Sequence, residues 1–128
     1  MGEGFRPGTD TSIASDSPSS SFSSVFEDDG ETGYFYAYDR GNTENAILDA
    51  VQIYNVASVT DRDRDSEVEI IWSSDGFKAG LRIDGHLHAI LDFESRKAYC
   101  RSNFPPPSEA WAAPERVPWN EALAGLLR

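Results

Sequence analysis

The stretch from Glu67 to Ile83 constrains the fold of this chain more than any other. Val68, Ile70 and Trp72 alternate with Glu67 and Glu69, the period-2 pattern of a half-buried strand. Ser74-Asp75-Gly76-Phe77 follows, and Asp-Gly is a preferred two-residue hairpin loop because both central positions take positive φ. The implied register sets Trp72 opposite Ala79, Ile70 opposite Leu81, Val68 opposite Ile83 and Glu69 opposite Arg82. Apolar residues meet apolar ones and acid meets base, so the hairpin is consistent with itself.

A second Asp-Gly stands at Asp84-Gly85. A two-residue loop there would put Leu87, Ala89 and Leu91 on the polar face. A three-residue loop that includes His86 restores the apolar register, with Leu81 opposite Ala89 and Ala79 opposite Leu91. It also sets Lys78 opposite Asp92 and Arg82 opposite His88. A third turn near Ser95 and Arg96 returns the chain through Ala98 to Arg101. The expectation is a four-stranded antiparallel meander, whose apolar face needs a cover.

Two helices are expected to supply it. Thr43 to Tyr54 carries Ile47, Leu48, Val51 and Tyr54 on one helical stripe behind a Thr cap, although Val51, Ile53 and Val56 also suit a short strand. Pro118 fits the first turn of a C-terminal helix bearing Trp119, Leu123, Leu126 and Leu127. Tyr34 to Tyr38 reads as a further strand, with Tyr34, Tyr36 and Tyr38 on one face. Residues 60–66 read as a charged loop, and Phe104-Pro105-Pro106-Pro107 as an extended segment.

Residues 1–31 differ in composition, being mostly Ser, Gly, Asp and Glu. Such a segment buries too little apolar surface to offset its ordering entropy, so it reads as a disordered acidic tail. The expected organisation is that tail followed by one α+β domain over residues 32–128.

The net charge is -11. A negative field of that size repels nucleic acid and anionic lipid and attracts basic proteins. No apolar run is long enough to span a membrane, and no basic segment with an apolar core opens the chain, so a cytoplasmic location is expected. Cys100 is the single cysteine and cannot form an internal disulfide. It reads as a buried small apolar residue.

The polar face of the meander gathers Glu67, Glu69, Arg82, His88, Asp92, Tyr99 and Arg101, and these are the candidate binding residues. Cross-strand ion pairs on a solvated face look the same, so no catalytic residue is assigned. His86 and His88 have the spacing of two ligands on one strand, but no HExxH, CxxC or further His completes a metal site. Phosphate loops and nucleophile elbows are absent, and no cofactor is implied.

The segments Gly33-Tyr34-Phe35-Tyr36-Ala37, Ile47 to Val56 (ILDAVQIYNV), Ile71 to Gly76, His88 to Phe93 (HAILDF) and Tyr99 to Pro105 (YCRSNFP) occur in that order. The chain thereby resembles a bacterial family of small proteins known only as a domain of unknown function. The resemblance implies a bacterial origin and one compact domain, and it carries over no catalytic residue. Size, acidity and the meander also look like immunity proteins of polymorphic toxin systems. The leading expectation is therefore a non-catalytic protein-binding module, an immunity-type inhibitor of a basic partner. The alternative is a small enzyme or small-ligand-binding protein with a pocket near His88, Asp92, Tyr99 and Arg101. A third reading docks a partner through residues 104–119.

Overall fold

The computed structural model describes residues 3–41, 47–59, 65–101, 119 and 121–127. The fold is an antiparallel β-sandwich rather than α+β. Among the described residues nine strands run in order: β1 Glu3–Phe5, β2 Thr11–Asp16, β3 Phe22–Asp28, β4 Thr32–Asp39, β5 Ile47–Asn55, β6 Ser66–Trp72, β7 Lys78–Ile83, β8 His86–Asp92 and β9 Lys97–Cys100. They form a five-stranded sheet ordered β1-β6-β7-β8-β9 and a four-stranded sheet ordered β2-β3-β4-β5. Among the described residues the only helical pieces are 3-10, at Val56–Ser58 and Glu121–Leu127.

The expected meander is present as β6 to β9. The first hairpin has the expected register, Val68 opposite Ile83 through Trp72 opposite Ala79. Its turn differs in one respect: Gly76 has φ +76 while Asp75 is not at positive φ. The Gly76 N–H closes the turn onto the Ser73 carbonyl at 3.0 Å. In the second hairpin, Leu81 opposes Ala89 and Lys78 opposes Asp92, as expected. The extra residue, however, lies in the strand and not in the loop. Asp84 and Gly85 form a two-residue turn with φ +50 and +82, both central positions positive as a type I′ turn requires. A bulge past Leu81 then sets Arg82 opposite Leu87, so Arg82 does not oppose His88. The bulge lets the turn keep its favoured chemistry and the core its register.

The segment expected to be a disordered tail holds three strands, and β3 is internal to its sheet. It pairs along its length with β2 on one side and β4 on the other. Phe5 and Phe26 belong to the core, Phe26 with no exposed surface. Ile13 and Phe22 pack against that core. Composition misled here because only one face of a strand must be apolar, and even that face includes polar members. Ser24 and Asp28 lie on the inward face of β3 beside Phe26, and both are buried.

The helix expected over Thr43 to Tyr54 is the strand β5 from Ile47 onward, while residues 42–46 lie outside the described residues. Its inward residues include Asp49 and Val51, both buried. A carboxylate at a core position broke the period-2 signal, and β-branched Val51 and Ile53 fit the pleat better than a helix. Nonlocal pairing with β4 decided the outcome. The apolar face of the meander is thus covered by a second sheet. The C-terminal 3-10 helix lies on the opposite face, where the side chain of Leu127 fills the space above Gly80. Pro118 and the 104–111 segment lie outside the described residues, as do most positions of the loop at 60–66.

Aromatic rings join the layers. Phe22 stacks on Phe93 at 4.6 Å between centroids, Trp72 on Phe93 at 5.8 Å, and Phe5 meets Phe26 edge-on at 5.1 Å. The Trp72 Nε1–H donates to Ser15 Oγ at 2.9 Å, which fastens β6 to the edge strand β2.

Candidate functional site

The outer face of the five-stranded sheet carries the residues singled out from sequence, and much of it is occupied with structure. Glu69 and Arg82 pair across β6 and β7, with both Nε and Nη2 of Arg82 on Glu69 Oε1 at 3.1 and 3.0 Å. The Glu67 backbone exchanges hydrogen bonds with Asp84: its N–H donates to Asp84 Oδ1 and its carbonyl accepts from the Asp84 N–H. Asp92 is buried, and its carboxylate accepts from the Glu94 N–H, the Ser95 N–H and the Ser95 hydroxyl. It shapes the β8–β9 turn.

Arg101 donates from Nε to the Leu87 carbonyl at 2.9 Å, and its guanidinium sits 4.6 Å from the centroid of the Trp119 ring. His88 is held below the usual imidazole range, first by burial and then by the Arg101 charge. Tyr99 is raised, first by burial and then by Asp92. Cys100 is buried, with Sγ 3.3 Å from the Gln52 carbonyl of the facing sheet. Among the described residues no cluster of His, Cys, Asp and Glu is arranged to hold a metal ion. One recess is lined by Asp10, Thr11, Ser12, Glu27, Asp28 and Asp29, and another by residues 30–32 and 55–58. Neither touches His88, Asp92, Tyr99 or Arg101.

The outer face of the four-stranded sheet is different. Cross-strand partners share a face, so the registers set Val25, Tyr36 and Ala50 in one row and Glu27, Tyr34 and Gln52 in the next. A bulge between Ala37 and Tyr38 brings Ile47 opposite Tyr38 in a third row with Ser23. Tyr34 and Tyr36 stack at 5.9 Å. The Tyr36 hydroxyl donates to Glu27 Oε1 at 3.0 Å, and burial with that carboxylate pushes its pKa up to about 12. All three tyrosines are half-buried, while Ile47 is 47% exposed. Asp16 lies at one edge, bonded to the Ser23 hydroxyl and 3.6 Å from Arg40 Nε. Sequence shows the Tyr34-Tyr36-Tyr38 alternation, but their neighbours come from two strands that composition and periodicity hid.

At the acidic end of this sheet, buried Asp28 gathers three donors. Its Oδ2 accepts from the Gly8 N–H at 2.8 Å and from the Tyr54 hydroxyl at 2.6 Å, and its Oδ1 from the Gly30 N–H at 2.8 Å. Burial and this bond hold the Tyr54 phenol well above the usual range. Gly33 makes room for the ring: a Cβ there would lie 2.6 Å from Tyr54 Cζ. No sequence pattern marked this knot.

The fold and faces define a small antiparallel β-sandwich with one outer sheet face occupied by ion pairs and a C-terminal 3-10 helix, and the other lined by tyrosines. Over residues 5–127 the chain matches a family model, and it belongs to that family, described as "Uncharacterized protein conserved in bacteria (DUF2251)". It is also similar to an uncharacterized protein of Haemophilus influenzae, 41% identical over 86 residues. That match takes in 67% of this chain and 53% of the relative, so the chain spans about half the length of the curated relative it matches. No solved structure matches. No helix among the described residues is long and apolar enough to cross a membrane.

Proposed function

We propose that the protein is a non-catalytic binding module that docks a basic partner protein against the tyrosine face of its four-stranded sheet, in the manner of an immunity-type inhibitor. The observation that supports this reading is the row of Tyr34, Tyr36 and Tyr38 on one outer face, continued by exposed Ile47. Tyrosines give a broad contact area at low rotamer cost and are enriched at protein interfaces. Their ring faces attract Arg and Lys. Glu27 within the face, Asp16 at its edge and the net charge of -11 set the sign of the partner. Complementary charge of this kind speeds encounter and makes it sensitive to salt.

The test is affinity capture from a bacterial lysate with two baits, the full chain and its Tyr34→Ser/Tyr36→Ser variant, washed at low and high salt. Equal thermal melting first establishes that both baits are folded. A basic protein should be held by the native bait, released by salt, and bound roughly 30-fold more weakly by the variant, the loss expected for an aromatic anchor worth about 2 kcal/mol. Equal recovery by both baits, or recovery indifferent to salt, would remove the tyrosine face from the account.

A further inference from the structure

We propose that the outer edge of β2 is a strand-addition site for an extended segment of the partner that carries Lys or Arg. This deepens the reading above and rests on it for the partner's charge.

β2 is an edge strand. The Ser17 N–H donates to the Phe22 carbonyl at 2.9 Å, which fixes the phase of the ladder. Counting back by twos, the N–H and C=O groups of Ser15, Ile13 and Thr11 face β3. Those of Ser12, Ala14 and Asp16 face outward. No described residue hydrogen-bonds to these outward main-chain groups. All three residues are exposed.

The other edges are less open. β1 has three residues and β9 four. The pairing of β5 is interrupted by two bulges, and its Gln52 carbonyl receives the Cys100 thiol. β2 has six residues in unbroken register and carries neither proline nor lysine nor bulge; its one charged side chain is Asp16, at its end. It is also anchored in place. Ser15 Oγ holds the Trp72 indole, and Ser17 Oγ donates to the Gly76 carbonyl at 2.6 Å. A template already held straight loses little freedom when a strand is added.

Charge selects the occupant. The recess at the Thr11 end is about 400 Å³, and Asp10, Glu27, Asp28 and Asp29 supply its carboxylates. Asp28 is taken up by its three donors and Asp29 by the Glu31 and Thr32 N–H groups. Asp10 remains to meet a cation, together with Glu27, whose Oε1 already accepts the Tyr36 hydroxyl. A basic side chain opposite Ser12 lies on the face that Ser12 shares with Glu27. A second copy of this chain is a poor occupant, because β2 carries no basic residue and each copy brings a charge of -11.

The probe is a phage-displayed library of random linear peptides panned on the full chain, with the enriched peptide then synthesised. Enrichment of Lys and Arg in alternation with strand-forming residues is expected. On binding, the amides of Ser12, Ala14 and Asp16 should gain protection from hydrogen exchange, while those of Ile13 and Ser15 stay as they were. Ala14→Pro removes an outward N–H and no ladder bond, so it should keep the fold and weaken the peptide at least about tenfold, the worth of one or two hydrogen bonds. If proline disturbs folding, Asp10→Lys serves instead, and the expected loss falls on basic peptides alone.

Enrichment of acidic or neutral peptides overturns the proposal, as does protection that spreads to other strands. Protection of the same three amides that grows with protein concentration and needs no peptide also overturns it, and assigns the edge to a second copy. Tyr38→Ser alters the tyrosine face beside Ser23 and Ile47 and leaves Glu27 untouched, so it should bind the peptide as the native chain does. The edge and the tyrosine face can therefore fail separately.

Discussion

Replacing Phe26 by Ala should destabilise the protein by about 3–5 kcal/mol, the usual cost of removing a buried phenyl ring. Phe26 has no exposed surface and meets the rings of Phe5 and Tyr54 at 5.1 and 6.3 Å. It stands on β3, between β2 and β4, so its neighbours cannot close the cavity by moving one loop. A loss of that size is a large share of the roughly 5–15 kcal/mol that holds a domain together. Urea melts of both proteins measure it, read from the midpoint at unchanged slope. A change below about 0.5 kcal/mol, typical of an exposed position, would place Phe26 outside the core.

The second large effect is expected at Asp28. Asp28→Ala leaves the Gly8 and Gly30 N–H groups and the Tyr54 hydroxyl without their acceptor. Unmade bonds to a buried charge cost more than neutral ones, and the expected total is about 3 kcal/mol. Asp28→Asn keeps the shape and one acceptor and should cost less than half of that. Tyr54→Phe removes one donor and should cost about 1 kcal/mol.

Burial first, and then the Asp28 carboxylate, give this knot a pH dependence of definite sign. Tyr54 is raised, so the folded chain keeps a phenolic proton that the unfolded chain releases above about pH 10. Its contribution is complete below that pH and is lost as pH rises further. Native protein should therefore lose stability on that alkaline limb more steeply than Tyr54→Phe. Parallel limbs would mean that the Tyr54 hydroxyl is not bonded to Asp28.

The hairpins of β6 to β8 were legible because their signals are local. Asp-Gly turns and strict alternation sit within a few residues of each other, and the register follows from them. Two departures there are small: Asp75 is not at positive φ in the first turn, and in the second a strand bulge, rather than a loop that includes His86, absorbs the extra residue beside a type I′ turn. The four-stranded sheet was illegible for a different reason. Ser24, Asp28 and Asp49 occupy inward positions, each buried, and they erased the apolar period of β3 and β5. Asp28 is accommodated by donors far away in sequence, which no local pattern shows. The stripe Ile47, Leu48, Val51 and Tyr54 suited a helix, but pairing with β4 outweighed it.

The candidate residues had the same fate. Alternation correctly put Glu69 and Arg82 together. It could not show that Asp92 serves a turn, or that Arg101 lies against Trp119, eighteen residues on. The tyrosine face was half visible. Its three rings are visible in the sequence, yet two of the four strands that build the sheet, β2 and β3, lie in the segment that reads as a tail.

The central claim is that residues 3–28 build the sandwich and carry the face and edge assigned to binding. Amide hydrogen exchange on the full chain tests it most directly. The Ser24, Phe26 and Asp28 amides, which face β2, and those of Ser23, Val25 and Glu27, which face β4, should open only with global unfolding, as slowly as Leu81 and Ala89 in the meander. Exchange of the β3 amides at the rate of an unstructured peptide, with β7 and β8 still protected, would contradict the account.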